Sequence, residues 1–141
     1  MDGDTWPARR RRAIAAHGAA LERQRVAEAE QARRLVADFA RQALARRLRP
    51  APLTARAYHG RSTYRTGLHG WYLRPDRSIA VSTDGAFYVL TVAPRLRARL
   101  TGARVEPGDP RLIVGAGARD GESMPLGALL QRRLDAGDTW P

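Results

Sequence analysis

The chain contains no cysteine, no lysine and no asparagine, and it has only three histidines among 141 residues. Without cysteine, disulfides and thiolate zinc sites are excluded, which suits a reducing compartment. No stretch approaches the roughly 20 consecutive apolar residues of a membrane-spanning helix, and no secretory apolar run follows the first basic residues. We therefore expect a single-domain cytoplasmic protein with no membrane segment and no cofactor.

Arginine supplies all 25 basic residues, which outnumber the 14 acidic residues and give a formal net charge of +11. A GC-rich coding sequence favours arginine over lysine, so codon composition explains the type of basic residue. It does not explain the excess of basic over acidic residues. The charge therefore makes nucleic acid or an acidic protein an expected partner.

The clearest local signal lies in residues 71–92, whose pattern predicts three strands joined by two tight turns. The tripeptide Thr-Asp-Gly at 83–85 is typical of a three-residue hairpin loop closed by a left-handed glycine. This loop pairs Val81 with Phe87. A two-residue turn at Asp-Gly would slip the register and pair Val81 with Tyr88 instead. We favour the three-residue loop.

A second turn is predicted at residues 74–77, where proline takes the second position and aspartate the third. Together the two turns decide which side chains share a face of the sheet. One face is apolar and holds Trp71, Leu73, Ile79, Val81, Phe87 and Val89. The opposite face is mixed and holds Tyr72, Arg74, Ala80, Ser82, Tyr88, Leu90 and Val92. Because the mixed face is too apolar for free solvent, we expect part of it to be covered.

Residues 8–47 contain no proline and a single glycine, and their composition predicts one long helix. A helix of about 40 residues is about 60 Å long, which exceeds what a small domain covers and argues for a partner. The larger apolar residues lie in the C-terminal half. We expect that half to dock on the strands, and the N-terminal half to project, pair with another copy or fray. The main apolar stripe comprises Ile14, Leu21, Ala32, Leu35, Val36, Phe39 and Ala43.

The rest of the chain predicts a small, mostly antiparallel sheet and a short C-terminal helix, so the fold class is α+β. We expect a long basic helix over residues 1–50, a small α+β domain over 51–136 and a tail over 137–141. The further predicted elements are a strand within Leu53–Tyr64, a loop at 67–70, an edge strand at 95–100, a strand at 111–114, a glycine-rich loop at 115–122 and a helix at 125–134.

Motifs for catalysis or metal binding are weak. The glycines of 115–121 have the wrong spacing for a dinucleotide fingerprint. Ser123 is followed two residues later by proline, where a serine nucleophile elbow requires glycine. His59 and His69 have no neighbouring carboxylate in sequence, and no metal-ligand spacing is present. We therefore predict a protein that is not an enzyme and binds no metal.

Four consecutive arginines, Arg9, Arg10, Arg11 and Arg12, lie near the start of the predicted helix. Cations at a helix N-terminus oppose the helix dipole. This conflict indicates either that the helix begins later or that the arginines bind an anion such as phosphate. A solvated, frayed end is the alternative.

A second candidate surface combines arginine and tyrosine on the mixed face and in the segment before it. Aromatic and basic side chains on a sheet are typical of single-stranded nucleic-acid binding, by stacking and charge. The same residues would serve equally well as the surface on which the helix docks. They are Arg61, Arg65, Tyr72, Arg74 and Tyr88.

The pentapeptide Gly-Asp-Thr-Trp-Pro occurs twice, at residues 3–7 and 137–141. One interpretation is a processing scar. The other is a pair of tryptophan anchors that dock on a partner or on each other.

Taken together, these patterns predict a small basic binding module that contacts nucleic acid or a ribonucleoprotein through its arginine-rich helix. The alternative is a self-associating structural or adaptor protein. In that case the helix pairs with a second copy through Ile14, Leu21, Leu35 and Val36.

Overall fold

The computed structural model describes residues 5–94, 102–115 and 123–140, and it has the predicted α+β fold. A long N-terminal helix precedes a sheet, and a short helix follows it. The elements are α1 (Trp6–Ala45), β1 (Ala51–Ala57), β2 (Thr63–Tyr72), β3 (Ile79–Ser82), β4 (Phe87–Val89), β5 (Thr91–Val92), β6 (Ile113–Val114), β7 (Met124–Pro125) and α2 (Leu126–Ala136), which runs into a 3-10 turn (Gly137–Thr139).

The main sheet has five strands in the order β4-β3-β2-β1-β5, while β6 and β7 pair separately. Neighbouring strands are antiparallel except β1 and β5, which are parallel. Only Leu90 separates β4 from β5. Its N–H donates to the Ser78 carbonyl at 2.8 Å, and its carbonyl accepts the Arg56 N–H at 2.7 Å. The sheet therefore curls until its two edges meet at Leu90.

Both predicted turns are present. The Ser82 N–H donates to the Ala86 carbonyl at 2.9 Å, and Gly85 has a φ of 86°. Val81 lies opposite Phe87, which confirms the three-residue loop and its register. At the other turn, the N–H of residue 77 donates to the carbonyl of residue 74 at 2.9 Å.

The main core lies between the predicted apolar face of the sheet and the two helices. At its centre the Phe39 ring meets the Trp71 ring edge-on, with 5.8 Å between centroids. The Trp71 indole N–H donates to the Leu48 carbonyl at 3.3 Å. The prediction for this face is correct except for Val89, which is 49% exposed at the end of edge strand β4.

The mixed face forms a second buried cluster, built on Leu53, Tyr72, Ala80, Tyr88 and Leu90. Leu53 reaches this cluster from β1 because the sheet curls. Side chains from outside the main sheet also pack against it, and they include Val105 and Trp140. The expectation that part of this face is covered is confirmed. The helix α1 packs on the Trp71 face instead, so the idea that it docks on the mixed face is wrong.

The segment after α1 differs from the prediction. In place of one strand followed by a loop, β1 and β2 form a hairpin, and residues 67–70 lie within β2. The turn of the hairpin contains Gly60, with a φ of 85°. Gly70 belongs to the strand because β3 approaches it closely: a Cβ at Gly70 would lie 2.0 Å from the Val81 carbonyl oxygen. The predicted strand at 95–100 and most of the predicted loop at 115–122 lie outside the described residues.

We expect Gly70→Ala to lower the free energy of unfolding by about 3 kcal/mol, because the new methyl group meets backbone that is already paired. Gly127→Ala is the matched control. It lies in α2 with open space around its Cβ position, so it should raise stability by about 0.5–1 kcal/mol. Urea unfolding followed by circular dichroism measures both. Equal stability of the two variants would contradict the close approach of β3.

A second pair of substitutions tests which half of α1 is docked. Phe39→Ala opens the core beside Trp71 and should lower the free energy of unfolding by about 3–5 kcal/mol. Leu21→Ala removes a side chain that is 42% exposed, and it should cost less than about 0.5 kcal/mol. Chemical denaturation followed by tryptophan fluorescence provides the comparison. Similar losses in the two variants would mean that both halves pack on the domain.

Candidate functional site

The helix α1 has two halves with different surroundings. From Trp6 to Gln31 every side chain is exposed except for two half-buried alanines, Ala8 and Ala29. Ala32 is the first fully buried residue, and from there the helix contributes to the main core. At 1.5 Å per residue the exposed half extends roughly 40 Å. We call residues 6–31 the projecting half.

The tip of the projecting half is capped by Thr5, whose hydroxyl accepts the Ala8 N–H at 3.3 Å. Pro7 follows in the first turn, where its missing N–H costs nothing. The helix therefore begins before the arginine cluster, so the expectation of a later start is wrong. All four arginines, 9–12, are exposed.

All charged side chains between Thr5 and Leu21 are basic, His17 aside. No acidic residue occurs between Thr5 and Leu21, and the first turn of α1 contains no carboxylate. Within the described residues, Arg9 and Arg11 form no ion pair. The Arg10 guanidinium lies 5.5 Å from the centroid of the Trp6 ring. The positive end of the helix dipole adds to the arginine charge, so the tip attracts anions.

The predicted self-association residues fall into two groups. Ile14 and Leu21 are 63% and 42% exposed, and both lie on the projecting half. Val36 is buried in the core, and Leu35 packs against the core from its edge. The structure thus leaves only the first pair available to a second copy.

The predicted arginine and tyrosine surface is also divided. Arg61 and Arg65 are exposed, and Arg74 is half-buried. Tyr72 and Tyr88 are only 7% and 5% exposed. Their rings are covered by the folded chain, so they are not available for stacking on a base in this structure.

Tyr72 is held by hydrogen bonds. Its hydroxyl accepts the Thr54 N–H at 2.9 Å and lies 3.4 Å from the Pro52 carbonyl, to which it donates. The Arg77 guanidinium covers its ring, 5.4 Å from the centroid. For Tyr88, burial raises the pKa of the phenol, and the charges of Asp84 and Glu106 add to the effect. Both tyrosines therefore act as structural residues of the second cluster.

A buried arginine, Arg133, was missed as a site residue. It is 6% exposed, and its Nε and Nη1 donate to the carbonyls of Tyr72 and Gly137, each at 2.9 Å. The Trp140 ring lies 4.7 Å from its guanidinium carbon. Burial lowers the pKa of Arg133, although Asp138 opposes the shift.

In the sequence, Arg133 is one of two arginines near the end of the helix predicted at 125–134, where basic residues favour the helix dipole. Its bond to Tyr72 spans 61 positions, a distance over which local patterns carry no information. The one sequence feature that pointed to this region was the second copy of the repeated pentapeptide, whose Trp140 covers Arg133.

The first copy of that pentapeptide lies at the start of α1, and the second copy lies at the end of α2. Thr5 of the first copy caps the start of α1, and Trp6 is 64% exposed. The second copy ends α2, where the Asp138 carboxylate accepts the Arg49 N–H at 2.8 Å. Trp140 is half-buried against the second cluster. Among the described residues of the two copies, those of the first are exposed, whereas Asp138 and Trp140 of the second contact the domain.

The described residues contain no group of three potential metal-ligating side chains. Ser123 lines a cleft, but neither His59 nor His69 does so. Within the same described ranges, no helix is both long enough and apolar enough to cross a membrane. The side chains considered for hydrolysis are therefore not gathered at one cleft.

Comparison of the chain with protein-family models, with curated proteins and with solved structures found no match in any of the three.

Proposed function

We propose that this protein is a small cytoplasmic binding module that contacts nucleic acid, alone or within a ribonucleoprotein, through the tip of its projecting helix. The observation that supports the proposal is the placement of Arg9 to Arg12. They are exposed on a helix whose side chains remain exposed as far as Gln31, apart from Ala8 and Ala29, and no carboxylate is found in its first turn.

The geometry suits a polyanion better than a small ligand. The arginines follow one another in sequence, so they point around the helix rather than to one point. A long anion such as a nucleic-acid backbone can contact several of them along a groove, whereas a single phosphate can reach only one or two. Phosphate contacts of this kind carry no sequence information, so the proposed binding is sequence-tolerant.

Fluorescence anisotropy with labelled single- and double-stranded oligonucleotides at several salt concentrations tests this proposal. We expect binding that weakens steeply with salt, and each phosphate contact on duplex DNA adds about 0.9 to the salt slope. Glutamine at all four positions, 9–12, should abolish the binding or reduce its slope by up to about 3.6.

A matched control removes four exposed arginines elsewhere, at positions 46, 56, 104 and 111. This variant has the same net charge as the tip variant, so it should keep most of the slope if the tip is the contact. Equal losses in the two variants would show that only net charge matters. Absence of binding at low salt would overturn the proposal.

Self-association is a second candidate function, and exposed apolar side chains on the projecting half favour it. Ile14 and Leu21 continue the stripe that is buried further along the helix at Ala32, Val36 and Phe39. Apolar residues at this spacing on an uncovered helix are typical of helix pairing. Each copy would then cover the stripe of the other.

Sedimentation equilibrium over a range of protein concentrations tests this candidate. We expect the mass to rise with concentration, and the double variant Ile14→Asp, Leu21→Asp to remain a monomer because it places charges in the apolar contact. The control is Val26→Asp with Leu44→Asp, which changes two residues of similar exposure, 47% and 50%, on a different face. A monomer at every concentration would exclude self-association by this stripe.

A further inference from the structure

A cleft of about 790 Å³ lies between α2, the turn at residues 74–77 and the short β6–β7 pair. Its apolar wall includes Leu73, Met124 and Leu129. Its polar wall is formed mainly by arginine, with Arg74, Arg132 and Arg133 all lining it. None of the residues given for its lining belongs to α1, so this inference does not rest on the proposed function of the helix tip.

The three arginines differ in what holds them. Arg133 is fixed by its bonds to two backbone carbonyls and by the Trp140 ring. These two bonds are made by its Nε and Nη1. Arg74 and Arg132 form no ion pair within residues 5–94, 102–115 and 123–140, although the charge of Arg74 helps to lower the pKa of Asp76. Two further arginines therefore line the same cleft as a rigid, buried one.

A buried cation normally has a carboxylate partner or a ligand, because removing a charge from water is costly. Among the described residues, no carboxylate lies within ion-pair distance of Arg133, although the more distant charge of Asp138 raises its pKa. Its two carbonyl partners offset part of this cost, and an anion in the cleft would offset more. Guanidinium groups bind carboxylate and phosphate through paired hydrogen bonds, which suits them for an oxyanion.

We propose that this cleft binds a small amphipathic anion, with its oxyanion head group on Arg74, Arg132 and Arg133 and its apolar body against Leu73, Met124 and Leu129. The apolar wall distinguishes this ligand from inorganic phosphate. The arginines distinguish it from a neutral apolar compound. Small-molecule sites commonly combine such a mostly apolar surface with a few convergent polar groups.

Trp140 provides a direct signal because it lines the cleft and packs on Arg133. We would titrate the full chain with octyl phosphate, octanoate, octanol and inorganic phosphate, and follow tryptophan fluorescence. A Trp140→Phe variant identifies the contribution of the other two tryptophans. Both octyl anions should bind at least about tenfold more tightly than octanol or inorganic phosphate, since each of these lacks one half of the recognition. The ranking of octyl phosphate against octanoate then shows which head group the arginines prefer.

The double variant Arg74→Gln, Arg132→Gln should weaken binding of both octyl anions by about tenfold or more. Neither side chain forms an ion pair within the described residues, so the variant should stay folded, which circular dichroism checks. The matched control, Arg104→Gln with Arg111→Gln, removes two exposed arginines outside the cleft and should bind as the unchanged chain does. The proposal is overturned if the two double variants behave alike, if octanol binds as well as the anions, or if none of the four compounds alters the Trp140 signal.

Discussion

The contact between Phe39 and Trp71 is the interaction on which the other features of this protein depend. It joins the only long helix of the described chain to the centre of the sheet, 5.8 Å from ring to ring. Once that half of α1 is fixed, the direction of the other half is fixed as well, because a helix is stiff over this length. The exposed tip is thus presented at a defined position by a core that lies many residues away.

The C-terminal helix is likewise positioned by contacts with a buried cluster. The curled sheet creates a second buried cluster, and α2 with its 3-10 turn places Trp140 against it. Arg133 joins the two layers, since it bonds to a carbonyl of β2 and to one at the end of its own helix. The arginine-lined cleft is therefore a consequence of how the C-terminal helix is attached to the sheet.

Local patterns predicted much of this fold. The helix composition, the turn residues at 83–85 and the alternation along the strands were sufficient for α1, for the hairpin register and for most of the main core. The prediction was wrong for Gly70, whose residue type suggested a loop. It lies in β2, where the close approach of β3 leaves no room for a side chain. The patterns also did not predict the burial of Tyr72 and Tyr88. Both looked available for stacking on a base, but the folded chain encloses them. The position of Arg133 depends on contacts distant in sequence, which no local pattern reports.

The single continuous α1 also has a dynamic consequence. Helices are costly to nucleate and easy to extend, and here the packed half from Ala32 to Ala43 supplies the nucleus. The projecting half extends that nucleus and contributes no residue to the main core, although its residues 22–29 border the segment at 109–113 across an open cleft. Its amide hydrogens should therefore exchange through local opening, with protection that increases from the tip towards the sheet. A partner at the tip would shift this local helix–coil equilibrium while leaving the global unfolding of the domain almost unaffected.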